Sequence, residues 1–427
     1  MADHVLCGMS ELSYSPVKLL QNEIEYSYTT ELTPHNSIIA GNNIIFHIEG
    51  GTDFVDLAHT TLEIDVKISQ VDGTALTEQT KVAPINNILH SVFSQVQVKL
   101  KDTVISHPSP NYGYRAYLET LLNYDRQAKD TWLKSQGWYF DQAGEFDTAA
   151  NTAVALRRSL VVNKKILTLK GRLATNIGAQ PLLVPSQTDI VLTLTPQRPE
   201  FALMRLDDAD TKSYKIEIAA AKLNVRKSKL YPDAVNKFEK DIAAKPVSIP
   251  ISQVRVSTVS ISQGLFHYSH NSLFNGILPN YVVIGFVTNA SYTGSWSKNP
   301  FNFAHADLSH IQLKVNERLV PSLPITPRFA EEKVIEGYES LYSVVGKLYQ
   351  NWSNGLHIFD YCNGAALYGF VLNNDTLCRH DSQNLQGHVD IDVKFSAGLP
   401  ETMTMVVYSS TQGHVIIDGH RNILLDV

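Results

Sequence analysis

The sequence predicts an all-β chain built as a double jelly roll. Two β-sandwich domains stand in tandem, with a few short helices in the loops and in the linker between them. Three observations carry that prediction. A 13-residue passage is written twice, FSQVQVKLKDTVI from Phe93 to Ile105 and LSHIQLKVNERLV from Leu308 to Val320. Alternation of apolar and polar residues dominates the chain. Its 427 residues also exceed what one ordinary core organises, so two units of about 200 residues are expected.

The repeat aligns without a gap at an offset of 215 residues, placing Ser94, Gln97 and Lys99 on Ser309, Gln312 and Lys314. Its apolar positions coincide too: Phe93 on Leu308, Val96 on Ile311, Val98 on Leu313, Leu100 on Val315. A repeat of domain length points to two copies of one fold and not to a solenoid. Two echoes follow in the same order. DIVLTL (Asp189 to Leu194) recurs as DIDVKF (Asp390 to Phe395), an offset of 201. Each repeated strand is followed by a Pro-containing loop and a Tyr-rich stretch, YGYRAYLETLL from Tyr112 and GYESLYSVV from Gly337.

Period-2 alternation marks strands with one buried face. In chain order these are 43–49, 61–68, 94–100, 165–171, 189–195, 215–230, 252–261, 281–287, 310–315, 388–395, 401–408 and 414–419. Such strands, separated by Gly, Pro, Asn and Asp turns, read as sandwiches. The connections are long enough to hold helices, which favours jelly rolls over up-and-down barrels. Tyr114, Tyr117, Leu118, Leu121 and Leu122 form a helical stripe that resumes at Ala128, Trp132 and Leu133. Pro232 to Lys245 starts on proline, carries acids early and ends on lysine, as a short helix does. The expected division is an N-terminal arm at 1–23, a first jelly roll at 24–231, a helical linker at 232–245 and a second jelly roll at 246–427.

Composition excludes several classes. Hydrophobic residues make up 44% and charged residues 18%, which fits a globular protein. With 36 basic against 42 acidic residues and no Lys/Arg run, neither a nucleic-acid groove nor an anionic-membrane patch is expected. No stretch approaches 18 apolar residues, so no membrane span is expected. Cys7, Cys362 and Cys378 are odd in number and widely spaced, which argues against a disulfide framework. The start lacks a signal-peptide pattern, so synthesis in a reducing intracellular compartment is expected, and the sequons at Asn289, Asn351 and Asn374 carry no weight.

The candidate chemistry is sparse. His267 and His270 make an HxxH without the glutamate of a helical metal site, and HxH occurs nowhere. Cys378-Arg379-His380 lacks a second cysteine nearby. Gly346-Lys347 resembles the end of a P-loop, but Leu341 stands where the first glycine belongs and Leu348 follows. Asp390 and Asp392 alternate with apolar residues as a solvated strand face does. Asp53 and Asp56 flank a turn that they could cap, with a catalytic pairing as the less favoured reading. No catalytic residue, metal site or cofactor is therefore expected, and the chain reads as a structural or binding protein. Trp132, Trp138, Trp296 and Trp352 lie in or beside loops, either as contact surfaces or as packing over the sandwich ends.

Four collinear segments resemble the major capsid proteins of the Polinton/Maverick and adintovirus group. Tyr112 to Asp141 is similar to that family's helical insertion, and Gly51 to Ile68 to its D-x-x-D-L turn and following strand. Asn299 to Phe329 resembles its second-domain strand and Pro-rich loop, and Gly387 to Ile423 its C-terminal end. One departure is SSTQGH at Ser409 to His414, where the family often carries acids; this stretch is expected to be a loop. The resemblance implies a hexon-like, double-jelly-roll capsid protein of the adenovirus-like lineage. It would form homotrimeric capsomers that tile an icosahedral virion, with penton and minor capsid proteins as further partners. It also implies a maturation protease, and Ile48-Glu49-Gly50-Gly51-Thr52 matches such a site superficially, although a glycine turn between strands explains it better. The alternative function is a β-sandwich binding module, for glycan or receptor, that does not self-assemble.

Overall fold

The structure is a computed structural model and describes residues 23–163, 165–207, 209–372 and 385–426. The first half holds β1 (Ile24–Leu32), β2 (Ile44–Ile48), β3 (Phe54–Gln70), β4 (Val82–Pro84), β5 (Phe93–Leu100), β6 (Thr103–Val104), β7 (Leu167–Gly171), β8 (Ile190–Pro196), β9 (Leu203–Arg205) and β10 (Tyr214–Leu230). The second holds β11 (Val247–Ile261), β12 (His267–Ile277), β13 (Tyr281–Thr288), β14 (Leu308–Val315), β15 (Arg318–Ile325), β16 (Leu367–Val371), β17 (Gln386–Phe395), β18 (Met403–Ile417) and β19 (Ile423–Asp426). Alternation works as expected: in β3, Leu62, Ile64, Val66 and Ile68 face inward while Thr61, Glu63, Asp65 and Lys67 stay half-exposed.

The two halves are wired alike. Sheet order β1-β10-β3-β7 in the first matches β11-β18-β13-β16 in the second, and β2-β8-β5-β6 matches β12-β17-β14-β15. Setting aside the small β4–β9 ladder and the appended β19, the corresponding strands also follow one another in the same chain order. This is a jelly roll written twice. Among the described residues no ladder joins the halves, so each is called a lobe here.

Register confirms the 215-residue offset within the repeated hairpin. Lys99 pairs with Val104 and Leu100 with Thr103; Lys314 pairs with Leu319 and Val315 with Arg318. Val96 and Ile311 are both buried and face Leu194 and Val393 across their ladders. Those partners lie 199 residues apart, so the echo aligned at 201 is corrected by two. A slip of two residues keeps every side chain on its face, which is why the sequence pattern could not detect it.

A second correction concerns the C-terminal strands. Residues 401–408 and 414–419 were expected as two strands with Ser409 to His414 as a loop between them. They form one strand, β18, paired with β11 without interruption from Val247↔Ile417 to Ile261↔Met403. The Ser/Thr/Gly composition mimics a turn, yet Ser409 and Ser410 are buried in the ladder, and Ser409 Oγ donates to Arg255 O at 3.2 Å.

The stripe from Tyr114 belongs to the helix Tyr112–Asn123, and its resumption splits into Arg126–Asp130 and a 3₁₀ turn at Trp132–Gln136. The Tyr-rich echo forms the helix Ile335–Val344, in the matching place between β15 and β16. It lies so close on its sheet that a Cβ at Gly369 would meet Ser340 O at 2.6 Å. Pro232–Ala244 is helical, between β10 and β11. The glycine turn after β2 is tightly held: Gly50 N donates to Asp189 Oδ1 at 2.8 Å, and a Cβ there would meet Gln187 C at 2.8 Å.

Buried polar groups stitch the first lobe. Arg157, fully buried, donates to Asp141 Oδ1 (2.7 Å), Pro84 O (2.9 Å) and Tyr139 O (3.0 Å). His90 sits between the Tyr112 hydroxyl (2.9 Å from Nδ1) and Gln136 Oε1 (3.1 Å from Nε2). Burial pulls its pKa down to about 4, whereas an unfolded chain's histidine titrates near ~6.5. Between those values the unfolded state binds the extra proton, so the stability due to neutral His90 is complete above pH ~6.5 and is lost as pH falls toward 4. Urea unfolding at stepped pH is expected to show this acid loss, and His90→Gln is expected to flatten it between pH ~6.5 and ~4.5.

Candidate functional site

Among the described residues, the two histidines of the HxxH do not converge on one site. His267 and His270 lie on β12, but they separate. His267 Nε2 bonds Asp392 Oδ1, His310 Nε2 lies 3.3 Å from Asp392 Oδ2, and His270 Nδ1 meets the Tyr268 hydroxyl at 3.2 Å. Asp390 accepts from Ser272 N at 2.7 Å. Among the described residues, no group of three or more His, Cys, Asp and Glu is arranged to hold a metal ion. Cys362 is a half-buried free thiol; Cys7, Cys378, Arg379, His380 and Asn374 lie outside the described residues.

Asp53 and Asp56 likewise have separate tasks, and Asp56 is within β3 and not in a turn. Asp53 Oδ2 accepts from the Tyr28 hydroxyl at 2.6 Å. Asp56 is buried at a bulge, where it accepts from His59 N (3.1 Å), and its Oδ2 lies 2.7 Å from His59 Nδ1. The tryptophans divide: Trp138 is fully buried and Trp296 packs against Tyr214, whereas Trp132 and Trp352 are about half exposed.

The organised feature of the molecule is instead the seam between the lobes. The helix Tyr112–Asn123 has two apolar faces. Tyr112 and Ala116 pack into the first lobe's core, while Tyr114, Tyr117, Leu118, Leu121 and Leu122 enter the core of the second. Tyr117 stacks on Phe301 with centroids 4.1 Å apart and planes 6° from parallel, and Tyr114 meets Tyr292, Phe301 and Phe303. Such aromatic pairs add about 0.5–1.5 kcal/mol each beyond area burial.

The end of this helix explains Lys347. The helix has no basic residue in its last turn, and Tyr124 at its C-cap is extended, so its last carbonyls need partners from elsewhere. Lys129 Nζ donates to Leu121 O (2.7 Å) and to Asn354 O of the second lobe (2.7 Å). Lys347 Nζ reaches across from the second lobe to Leu122 O (2.8 Å) and Asn123 O (2.9 Å), over the Trp352 ring. Both lysines are buried and neither forms an ion pair within the described residues. The negative end of the helix stands in for a counter-ion. Burial pulls the Lys129 ammonium down to about 7 and Lys347 to about 8. The sequence signal for these caps was the uncapped helix end; the lysines themselves were unremarkable in the chain.

Polar ties extend the seam. Asn111 Nδ2 donates to Val256 O (3.1 Å), and Asp147 accepts from Asn299 N (2.6 Å) and from Asn302 Nδ2 (3.0 Å). Arg421, buried after β18, donates to Ser186 O (2.9 Å) and pairs with Glu239 of the helix Pro232–Ala244.

No family model matches this chain. It is 24% identical over 404 residues to the uncharacterized protein F54H12.2 of Caenorhabditis elegans, covering 91% of this chain and 92% of that one. Among solved structures it is similar to a chain of the Sputnik virophage, with TM-score 0.66 and 11% identity, covering 98% of this chain and 91% of that chain. The mavirus major capsid protein gives TM-score 0.55 and 10% identity, covering 98% and 93%. The Faustovirus major capsid protein gives 0.54 and 8%, also covering 98% and 93%. At these identities the likeness establishes the fold, a double jelly roll over nearly the whole chain.

Lys347→Met leaves two helix carbonyls without their cross-lobe donor and is expected to cost about 1–3 kcal/mol in chemical unfolding. Amide exchange is expected to rise at the last turn of Tyr112–Asn123, and an unchanged rate there would show that the cap is not needed.

Proposed function

We propose that the chain is a major capsid protein, which self-assembles into homotrimeric, pseudo-hexagonal capsomers that tile an icosahedral shell. The observation that carries this reading is the strand-for-strand equivalence of the two lobes, together with a fold shared along nearly its full length with solved viral capsid proteins. Three subunits fill a six-cornered lattice site evenly only when each offers two similar lobes, and closed cyclic symmetry supplies the trimer. No described helix is long and apolar enough to cross a membrane.

The finer placement in the Polinton/Maverick–adintovirus group rests on the collinear sequence resemblance. On this reading residues 24–231 and 246–427 are the two jelly-roll domains, 232–245 is the linker, and 1–23 is an arm outside the first sandwich. The protein is made in a reducing compartment of the host and resides in the virion. Its partners are further copies of itself, first in the trimer and then in the lattice, with penton and minor capsid proteins at special positions.

Light scattering of purified protein is expected to give a mass near three times the 47.5 kDa chain. The subunit interface is expected to be largely apolar and to exceed about 2,000 Å². A monomer at micromolar concentration would overturn self-assembly and favour the non-assembling binding module.

A further inference from the structure

Equivalent lobes allow the contacts inside one chain to be used as a guide to contacts between chains. In the second lobe, the start of β11 and the end of β18 form a ribbon end carrying Ile249, Ile251, Val415 and Ile417. All four are buried in the first lobe's core cluster, with Ile423 and Leu425 of β19 beside them. The β5–β6 hairpin of the first lobe is part of the seat. Lys101 Nζ donates to His420 O at 3.2 Å, and Thr103 Oγ donates to Ile423 O at 3.1 Å.

The first lobe has the same ribbon end, made by the start of β1 and the end of β10 at the corresponding place in its sheet. Among the described residues nothing is seated on it: Tyr26 is 49% and Tyr28 38% exposed. Strand alternation puts both tyrosines on the side of Leu32, which packs on the first lobe's core. It likewise puts Ile249 and Ile251 on the side of Ile261, which is in the second lobe's core. The tyrosines therefore stand on the face where the second lobe has its seated isoleucines.

The second lobe in turn has an unused seat. Its β14–β15 hairpin shares the register of β5–β6, so Lys101, Thr103 and Val104 correspond to Asn316, Arg318 and Leu319. Leu319 is 47% and Leu323 79% exposed on this hairpin. Among the described residues, one lobe thus presents an unseated ribbon end, and the other an unfilled seat.

We propose that the Tyr26–Tyr28 ribbon end of one copy seats on the β14–β15 hairpin of the next, around Leu319 and Leu323. The occupant of the hairpin is a second copy of this chain. The contact repeats between copies what β11 and β18 make within one. It is heterologous, so its rotation must close to give a discrete particle. Closure after three copies gives six similar seats, alternating within and between chains. This inference rests on the self-assembly reading, and adds to it which surfaces meet.

The test uses the full chain with Tyr26→Glu, Leu319→Glu and Leu323→Glu, each at an exposed position, and with Leu182→Glu as an exposed control. Light scattering is expected to show the wild-type and control masses at three copies and each of the three variants at one, with unchanged circular dichroism. Amide exchange at residues 318–323 is expected to be slower in the wild-type assembly than in the Tyr26→Glu protein. A trimeric wild type whose Tyr26→Glu, Leu319→Glu and Leu323→Glu variants all stay trimeric overturns the proposed surfaces and leaves self-assembly standing. Equal exchange at 318–323 in wild-type trimer and Tyr26→Glu monomer overturns the hairpin as the seat. A monomeric wild type overturns the self-assembly reading itself, and this contact with it.

Discussion

Everything in this molecule depends on one helix serving two cores. Tyr112–Asn123 is contributed by the first lobe, yet most of its apolar stripe is buried in the second. A helix with one apolar stripe can settle on either lobe alone; a helix with two such faces is stable only where both lobes are present. The aromatic stack at Tyr117 and Phe301 fixes its position along the seam. The lysine ammonium groups at its C-terminal end fix where it stops. The relative placement of the lobes is therefore set by packing and by directed hydrogen bonds, not by the helix Pro232–Ala244 alone.

Duplication explains the wiring and divergence explains the seam. The sheets kept their strand order, and the repeated hairpin kept its register. What changed lies between the strands. The helix between β6 and β7 packs across onto the neighbouring lobe, whereas Ile335–Val344 lies on its own sheet over Gly369. Strand pairing constrains backbones throughout a sheet, so a change there disturbs many partners at once. Loops between strands carry no such obligation and can be lengthened and re-aimed.

The same physics decides how much could be read from the sequence. Period-2 alternation located the strands because each has one wet and one dry face. The hairpin repeat survived because its register is pinned by a two-residue connection. The two-residue slip in β8 against β17 was invisible, since it leaves the faces unchanged. Ser409 to His414 was misread because a buried ladder can hold small hydroxyls as readily as a loop can. The helix Tyr112–Asn123 was legible as a helix, but its stripe does not say which lobe it enters. Lys129 and Lys347 could not be found from motifs, because their partners are backbone carbonyls, which every residue carries. His310 joined Asp392 only through the β14–β17 pairing, a neighbourhood that local spacing does not encode.

The contrast between the two ribbon ends has a physical logic. Ile249 and Ile251 are covered as soon as the chain folds, so nothing limits their hydrophobicity. Tyr26 and Tyr28 stand exposed in the single chain, where two isoleucines would present apolar surface alone. Tyrosine offers a large apolar ring with a polar tip, and Tyr28 already directs its hydroxyl to Asp53. A ribbon end that is aliphatic where it is covered within the chain and aromatic-polar where it is exposed suits the proposed contact between copies, since it must meet water before assembly. On the proposed contact, each copy in a closed ring is held twice, by its ribbon end and by its hairpin, so a copy that makes only one of the two leaves more readily than one in the ring.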